Sequence, residues 1–195
     1  MSLLYCYRCT LPTQDCVCQQ APHIILDKPW ALLVHPREYS KHSNTGRLLK
    51  IATGMPSISW HRLKNSQLES QFNNYALLYP SDENSLVINT KETSQEDHQP
   101  THIEGFLIID ATWQESRKMM RQSPWLAKLP RVSLNPTVSQ YHLRRNQNDQ
   151  GLSTLETVSH WLFEHEQRNS AQELLNFLQI FQSAYLKAQQ AGLLK

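Results

Sequence analysis

Glycine is scarce in this chain, five in 195 residues against ten prolines. No segment repeats, and none collapses into low complexity. A fibrous or repeat architecture is therefore excluded, and 39% hydrophobic with 18% charged residues is an ordinary globular balance rather than a disordered one. Long apolar runs are missing too. None approaches the roughly 18 residues that span a bilayer, so no membrane association is expected. The opening residues, MSLLYCYRCT, lack a basic segment leading into an apolar core. No secretory signal is expected, and the cytoplasm is the expected compartment. The length suffices for one domain with a sizeable core and a small appendage.

Cysteine is absent after position 18, and the four present crowd into CYRCTLPTQDCVC: Cys6, Cys9, Cys16 and Cys18. A Cys-x2-Cys pair, six residues and a Cys-x-Cys pair can surround one tetrahedral Zn2+. Two disulfides are the rival reading, disfavoured in a cytosolic chain, and a redox pair is a third. Four thiolates would leave no open coordination position. A zinc site here is therefore expected to be structural, stapling an N-terminus with few apolar residues of its own.

Beyond the cysteines, strands alternate with helices. WALLVHP (Trp30–Pro36) reads as a buried strand, and SNTGRLLKIAT as a helix capped by Ser43 or Asn44 and stopped by Gly54. NYALLYP (Asn74–Pro80) and SLVIN (Ser85–Asn89) read as strands, and Lys91 to Thr101 as a polar loop. GFLIID is the clearest strand. TWQESRKMMRQS follows as a helix limited by Pro124, and RVSL is one more short strand. Two C-terminal helices start at apparent capping boxes, Ser153–Glu156 and Ser170–Glu173. The second carries the stripe Leu174, Leu178, Phe181, Tyr185 and Ala188, read as core, with Gly192 as its stop. The pattern predicts an α/β fold, a mainly parallel sheet flanked by helices.

Net charge is only +2, but its distribution is uneven. Arg117, Lys118, Arg121, Lys128, Arg131, Arg144 and Arg145 lie close in sequence with one acid, Glu115, between Ala111 and Arg145. Such a stretch suits a phosphate-bearing partner or is simply a solvated helix face. Three polar clusters carry similar alternatives. His35 ends one strand, and Asn44, Thr45 and Arg47 begin a helix, where free N–H groups bind anions or are merely capped. Arg144 and Arg145 precede the second capped helix start. Asp110, Thr112 and Trp113 stand where the most apolar strand meets a helix. That position holds the chemistry in open α/β sheets, or Asp110 and Thr112 are helix caps and Trp113 is core.

Taken in order, these pieces resemble the DTW-domain family of tRNA-uridine aminocarboxypropyltransferases. The cysteine pairs, HPRE, Asn44 to Leu48, LYP, Asp110 to Trp113, Tyr141 to Arg144 and Leu152 to Glu156 match the family's motifs. Ala111 stands where glycine is usual, a change not expected to alter the reaction. NTGRLL and LSTLE carry a more distant likeness to the ribosomal-RNA aminocarboxypropyltransferases.

The resemblance implies a SPOUT-like C-terminal knot, a zinc-binding segment over residues 1–22 and a catalytic domain over 23–195. It implies S-adenosylmethionine as co-substrate and a uridine of the tRNA variable loop as acceptor. The products are 3-(3-amino-3-carboxypropyl)uridine and methylthioadenosine. Asp110, Thr112 and Trp113 are the expected catalytic residues. Desolvation against Trp113 would raise the Asp110 pKa and fit it as base for N3, or as the group orienting N3–H. A rival role is binding the methionine amino group. Cofactor contacts by similarity are Thr45, Arg47, Leu78, Tyr79, Pro80, Ser81, Leu134, Tyr141, Ser153 and Thr154. His35, Arg47 and Arg144 are candidates for the methionine carboxylate or a phosphate. Arg117, Lys118, Arg121, Arg144 and Arg145 would grip the RNA and offset the cost of unstacking the uridine. The rival classes are a SPOUT-type RNA methyltransferase and a non-catalytic zinc-knuckle RNA-binding protein. The expected partner is tRNA, and the expected state a monomer.

Overall fold

The computed structural model describes residues 4–81, 103–134, 139–143 and 151–194. The chain forms two compact units: one of Met1–Ile25, Ser40–Gly54 and Pro136–Lys195, the other of Leu26–Tyr39 and Met55–Asn135.

The second unit holds the sheet. Its strands are β1 (Trp30–Val34), β2 (Ser57–Ser59), β3 (Tyr75–Leu78), β4 (Gly105–Asp110) and β5 (Arg131–Val132), in the order β2-β1-β4-β3-β5. Every pairing is parallel, so β4 lies at the centre. All residues of β1 and β4 are buried, which is why WALLV and FLII are continuously apolar rather than alternating. Helices α2 (Asn65–Phe72), α3 (Trp113–Gln122) and α4 (Pro124–Lys128) cover one face. Ala31, Leu33, Leu77, Leu107 and Ile109 of the sheet meet Leu68, Phe72, Met119, Trp125 and Leu126 of the helices. Two of the indoles satisfy their N–H groups: Trp60 donates to Ser123 Oγ at 2.9 Å, and Trp125 to Asn65 Oδ1 at 3.1 Å. Gly105 starts β4 where a Cβ would fall 2.4 Å from the Pro29 carbonyl oxygen, so only glycine fits.

The first unit is helical. Its helices are α1 (Thr45–Thr53), α5 (Thr154–Glu164) and α6 (Arg168–Gln190), which pack on one another. Asn44 caps α1, accepting from the Arg47 N–H at 2.8 Å, and Gly54 ends it in the left-handed region. The stripe on α6 is buried from Ala171 to Ala188, and Gly192 follows with φ 71°.

One expectation is overturned, and three elements are added. The capping box at Ser170–Glu173 does not form: α6 already starts at Arg168 and has no side-chain cap. A tight turn through Glu166, φ 63°, ends α5 and brings the Gln167 N–H to the Leu162 carbonyl, so the new helix begins directly after it. Strand β2 and helices α2 and α4 are additional to the expected elements. β2 is three partly exposed residues, and α2 buries only Leu68 and Phe72, too little for periodicity to register. Pro124 does limit α3, and also opens α4 at its first turn. Ser85–Asn89 and the loop from Lys91 to Thr101 lie outside the described residues, as do positions 135–138 and 144–150 of the stretch on which the knot depends.

Candidate functional site

In the second unit the carboxyl ends of β1 and β4 lie side by side. Val34 pairs with Asp110, and the His35 N–H donates to the Asp110 carbonyl at 3.0 Å. Asp110 is 2% exposed. The following helix does not use it as a cap. That role belongs to Thr112, whose hydroxyl oxygen accepts from the Glu115 N–H at 3.3 Å. Glu115 Oε2 in turn accepts from the Thr112 N–H at 3.1 Å and from its hydroxyl at 2.8 Å. Trp113, which would be core if this strand end served only to cap the helix, is 39% exposed and stands 6.0 Å from the Tyr79 ring.

Glu115 was not singled out as a site residue, although Thr112-x-x-Glu115 carries the capping-box pattern. Its second oxygen, Oε1, lies 3.5 Å from His35 Nδ1 and 3.8 Å from the Arg37 guanidinium. The histidine distance alone suggests an ion pair. However, the Arg37 backbone N–H approaches Nδ1 at 3.3 Å and needs it as acceptor. Burial lowers the His35 pKa, and the Glu115 carboxylate opposes this without reversing it. His35 is therefore neutral near pH 7, with its proton on Nε2 and its ring stacked 5.7 Å from Trp60.

Leu78 is buried at the end of β3, Tyr79 is half-buried, and Pro80 and Ser81 are exposed. The Tyr79 hydroxyl lies 3.3 Å from Ser116 Oγ. Arg131, counted above with the basic stretch, is buried instead. It donates to the Pro80 carbonyl at 3.1 Å and lies over the Tyr79 ring at 5.7 Å. Leu134, just past β5, is half-buried. Arg117, Lys118 and Arg121 are exposed on α3, whereas Lys128 pairs with Glu69 at 3.1 Å. Arg144 and Arg145 lie outside the described residues.

In the first unit, Thr45 opens α1 at 2% exposure, and its hydroxyl finds no hydrogen-bond partner among the described residues. Tyr141, wholly buried, donates its hydroxyl to the Ser43 carbonyl just before this helix. Ser153 caps α5, and Thr154 is buried beside it. The buried Glu156 carboxylate accepts from the Ser153 N–H at 2.8 Å, the Ser139 hydroxyl at 2.8 Å and the Gln140 N–H at 2.5 Å. It ties the segment leading into Tyr141 to the start of α5. Arg47 points to the cysteine turn: its Nη1 donates to Thr10 Oγ1 and to the Lys41 carbonyl, both at 2.9 Å.

The four cysteines are all free thiols, with sulfurs within 4.8 Å of one another. Cys6 and Cys18 are 3.7 Å apart, as are Cys9 and Cys16. Sulfurs placed about 2.3 Å from one ion at tetrahedral corners are about 3.8 Å apart, so the cluster fits a metal ion and not a pair of disulfides. Burial pushes the Cys9 and Cys18 thiols up. At Cys6 burial acts the same way, but the amides of Cys9 and Arg8 and the thiols of Cys16 and Cys18 outweigh it and leave a pKa of about 6. A divalent cation would supply the charge that lets four thiolates coexist.

The family model of the DTW domain matches residues 3–186. The tRNA-uridine aminocarboxypropyltransferase 2 of Drosophila melanogaster is 25% identical over 177 residues, covering 87% of this chain and 70% of that protein. No solved structure matches the chain. No helix among the described residues is long and apolar enough to cross a membrane.

The cysteine geometry predicts one metal ion per purified chain by elemental analysis. Cys9→Ser should lower that ratio and open the N-terminal segment to proteolysis while the far-UV spectrum persists. Intact disulfides without metal would overturn this. His35 predicts a pH effect. A histidine with a lowered folded pKa favours the neutral form, so its contribution is present above the ordinary value of about 6.5 and is lost as pH falls below it. Denaturation midpoints should therefore fall more steeply on acidification in the wild type than in His35→Gln.

Proposed function

This chain belongs to the DTW-domain family, and on that premise we propose that it transfers the 3-amino-3-carboxypropyl group of S-adenosylmethionine to N3 of a tRNA uridine. One observation carries the assignment of the reacting group. Asp110 is buried at the end of the central strand, and the cap of the next helix is provided by Thr112 and Glu115. A carboxylate at that strand end is thus not the N-cap of the helix.

S-adenosylmethionine supplies a sulfonium that makes the methionine Cγ electrophilic, so that N3–Cγ forms as S–Cγ breaks and methylthioadenosine leaves. The residues supply the rest. Asp110 takes the N3 proton, or holds N3–H in line as the nitrogen becomes nucleophilic. Trp113, exposed beside Tyr79, offers a ring to a uridine drawn out of its stack. Thr45 supports a place for the cofactor: its buried, unpartnered hydroxyl lies in the first turn of α1, where free N–H groups favour a carboxylate. Ser153 and Thr154, at the capped start of α5, are further cofactor contacts proposed from the resemblance. We assign zinc to the four cysteines, in a structural role, since four thiolates leave no open position. The exposed Arg117, Lys118 and Arg121 are the proposed phosphate contacts.

Incubation with tRNA and S-adenosylmethionine, followed by nucleoside mass spectrometry, tests the reading. An added aminocarboxypropyl mass supports it. An added methyl group would make the protein a methyltransferase, and no added mass would leave a binding protein. Asp110→Asn should keep the fold and lose on the order of 10²-fold or more in transfer rate, because an amide cannot accept the proton. Near-normal turnover would remove Asp110 from the chemistry, whereas lost cofactor binding would assign it to the methionine amino group. Affinity for tRNA should fall as salt rises, and replacing Arg117 or Arg121 by Gln should flatten that slope by about one.

A further inference from the structure

Two side chains of the Cys6–Cys9 turn take no part in holding it. Tyr7 is 91% exposed, and Arg8 beside it is exposed. Among the described residues neither side chain makes a hydrogen bond, ion pair or ring contact. The nearby Tyr5 behaves differently: its hydroxyl donates to the Leu193 carbonyl at 2.8 Å, and its ring lies 5.3 Å from His42. Tyr5 is part of the scaffold, and Tyr7 is presented by it.

The scaffold beneath Tyr7 is held from several sides. Thr10 sits at φ 61° and is fixed in that conformation by His42 Nδ1 at its carbonyl, 2.8 Å, and by Arg47 at its hydroxyl. The Cys6 N–H donates to the Leu11 carbonyl, and Tyr5 bridges Pro12. The four thiols converge below the turn. With the backbone of the turn held in advance, a partner has only these two side chains left to order.

The chemistry of the pair indicates the partner. A planar ring beside a cation suits an unpaired base with its phosphate, and zinc knuckles and aromatic platforms recognise single-stranded RNA in this way. Local charge agrees. Asp15 is the one acid between Leu4 and Leu26, and its side chain is 4% exposed and paired with Lys187 at 2.9 Å. No exposed carboxylate of this segment opposes a phosphate at Arg8.

We propose that Tyr7 and Arg8 form an RNA contact separate from the basic face of α3, with Tyr7 stacking on an unpaired base of the tRNA and Arg8 meeting a phosphate. This rests on the reading that the chain acts on tRNA. The test uses the full chain, with its metal content checked in every variant, and unfractionated tRNA in a filter-binding titration. Tyr7→Ala should weaken binding on the order of tenfold, and Tyr7→Phe should stay within about twofold, since stacking needs the ring and not the hydroxyl. Arg8→Gln should reduce the salt slope by about one. Ultraviolet crosslinking of the wild type should place a nucleotide adduct on Tyr7, independently of any variant's folding. Wild-type affinity in Tyr7→Ala, or equal weakening in Tyr7→Phe, would overturn the proposal. Failure of the wild type to bind tRNA would instead refute the tRNA reading, and this inference with it.

Discussion

The parallel pairing of β1 with β4 is the constraint on which the second unit depends. It runs unbroken from Trp30 with Phe106 to Val34 with Asp110. Because both strands are buried throughout, a slip of one residue would turn each apolar side chain to the opposite face. The register is therefore firmly held, and it decides which residues end side by side. His35 and Asp110 meet at adjacent strand ends through a backbone bond at 3.0 Å, although 74 residues separate them in the chain. Gly105 serves the same pairing at its other end, where the approach of the Pro29 carbonyl leaves no room for a Cβ.

Helix caps separate structural groups from those available for chemistry. At the start of α3 the N-cap is Thr112, closed into a box with Glu115, and not the carboxylate two residues earlier. Glu115 does more than close that box, since its other oxygen reaches His35 and Arg37 and couples the loops after β1 and β4. The first unit repeats the pattern. Asn44 caps α1 through Arg47 N–H, and Tyr141 holds the Ser43 carbonyl. The Thr45 hydroxyl between them has no partner in the described chain. A buried, unpaired hydroxyl costs free energy unless something binds it, which makes Thr45 the most informative polar atom of that unit.

The N-terminal turn follows a different economy. It has few apolar side chains, so its order comes from four converging sulfurs and from the grip of His42 and Arg47 on Thr10. Arg47, expected by resemblance among the cofactor contacts, commits Nη1 to this bracing. The guanidinium thus links α1 to the cysteine turn.

Much of this was legible in the residue order. Continuous apolar runs identified β1 and β4, the alternation of strand and helix implied a parallel sheet, and the cysteine spacing implied four converging sulfurs. These are local properties, set by periodicity and by short-range geometry. The STLE capping box was read correctly for the same reason. SAQE has the identical pattern and fails, because the turn through Glu166 had already started the helix. Short elements such as β2 and α2 carry too few buried residues to register. Burial of Arg131, exposure of Trp113, neutrality of His35 and the unpartnered state of Thr45 were decided only by the tertiary structure. Each depends on what residues distant in sequence place around a side chain, and no local pattern contains that information.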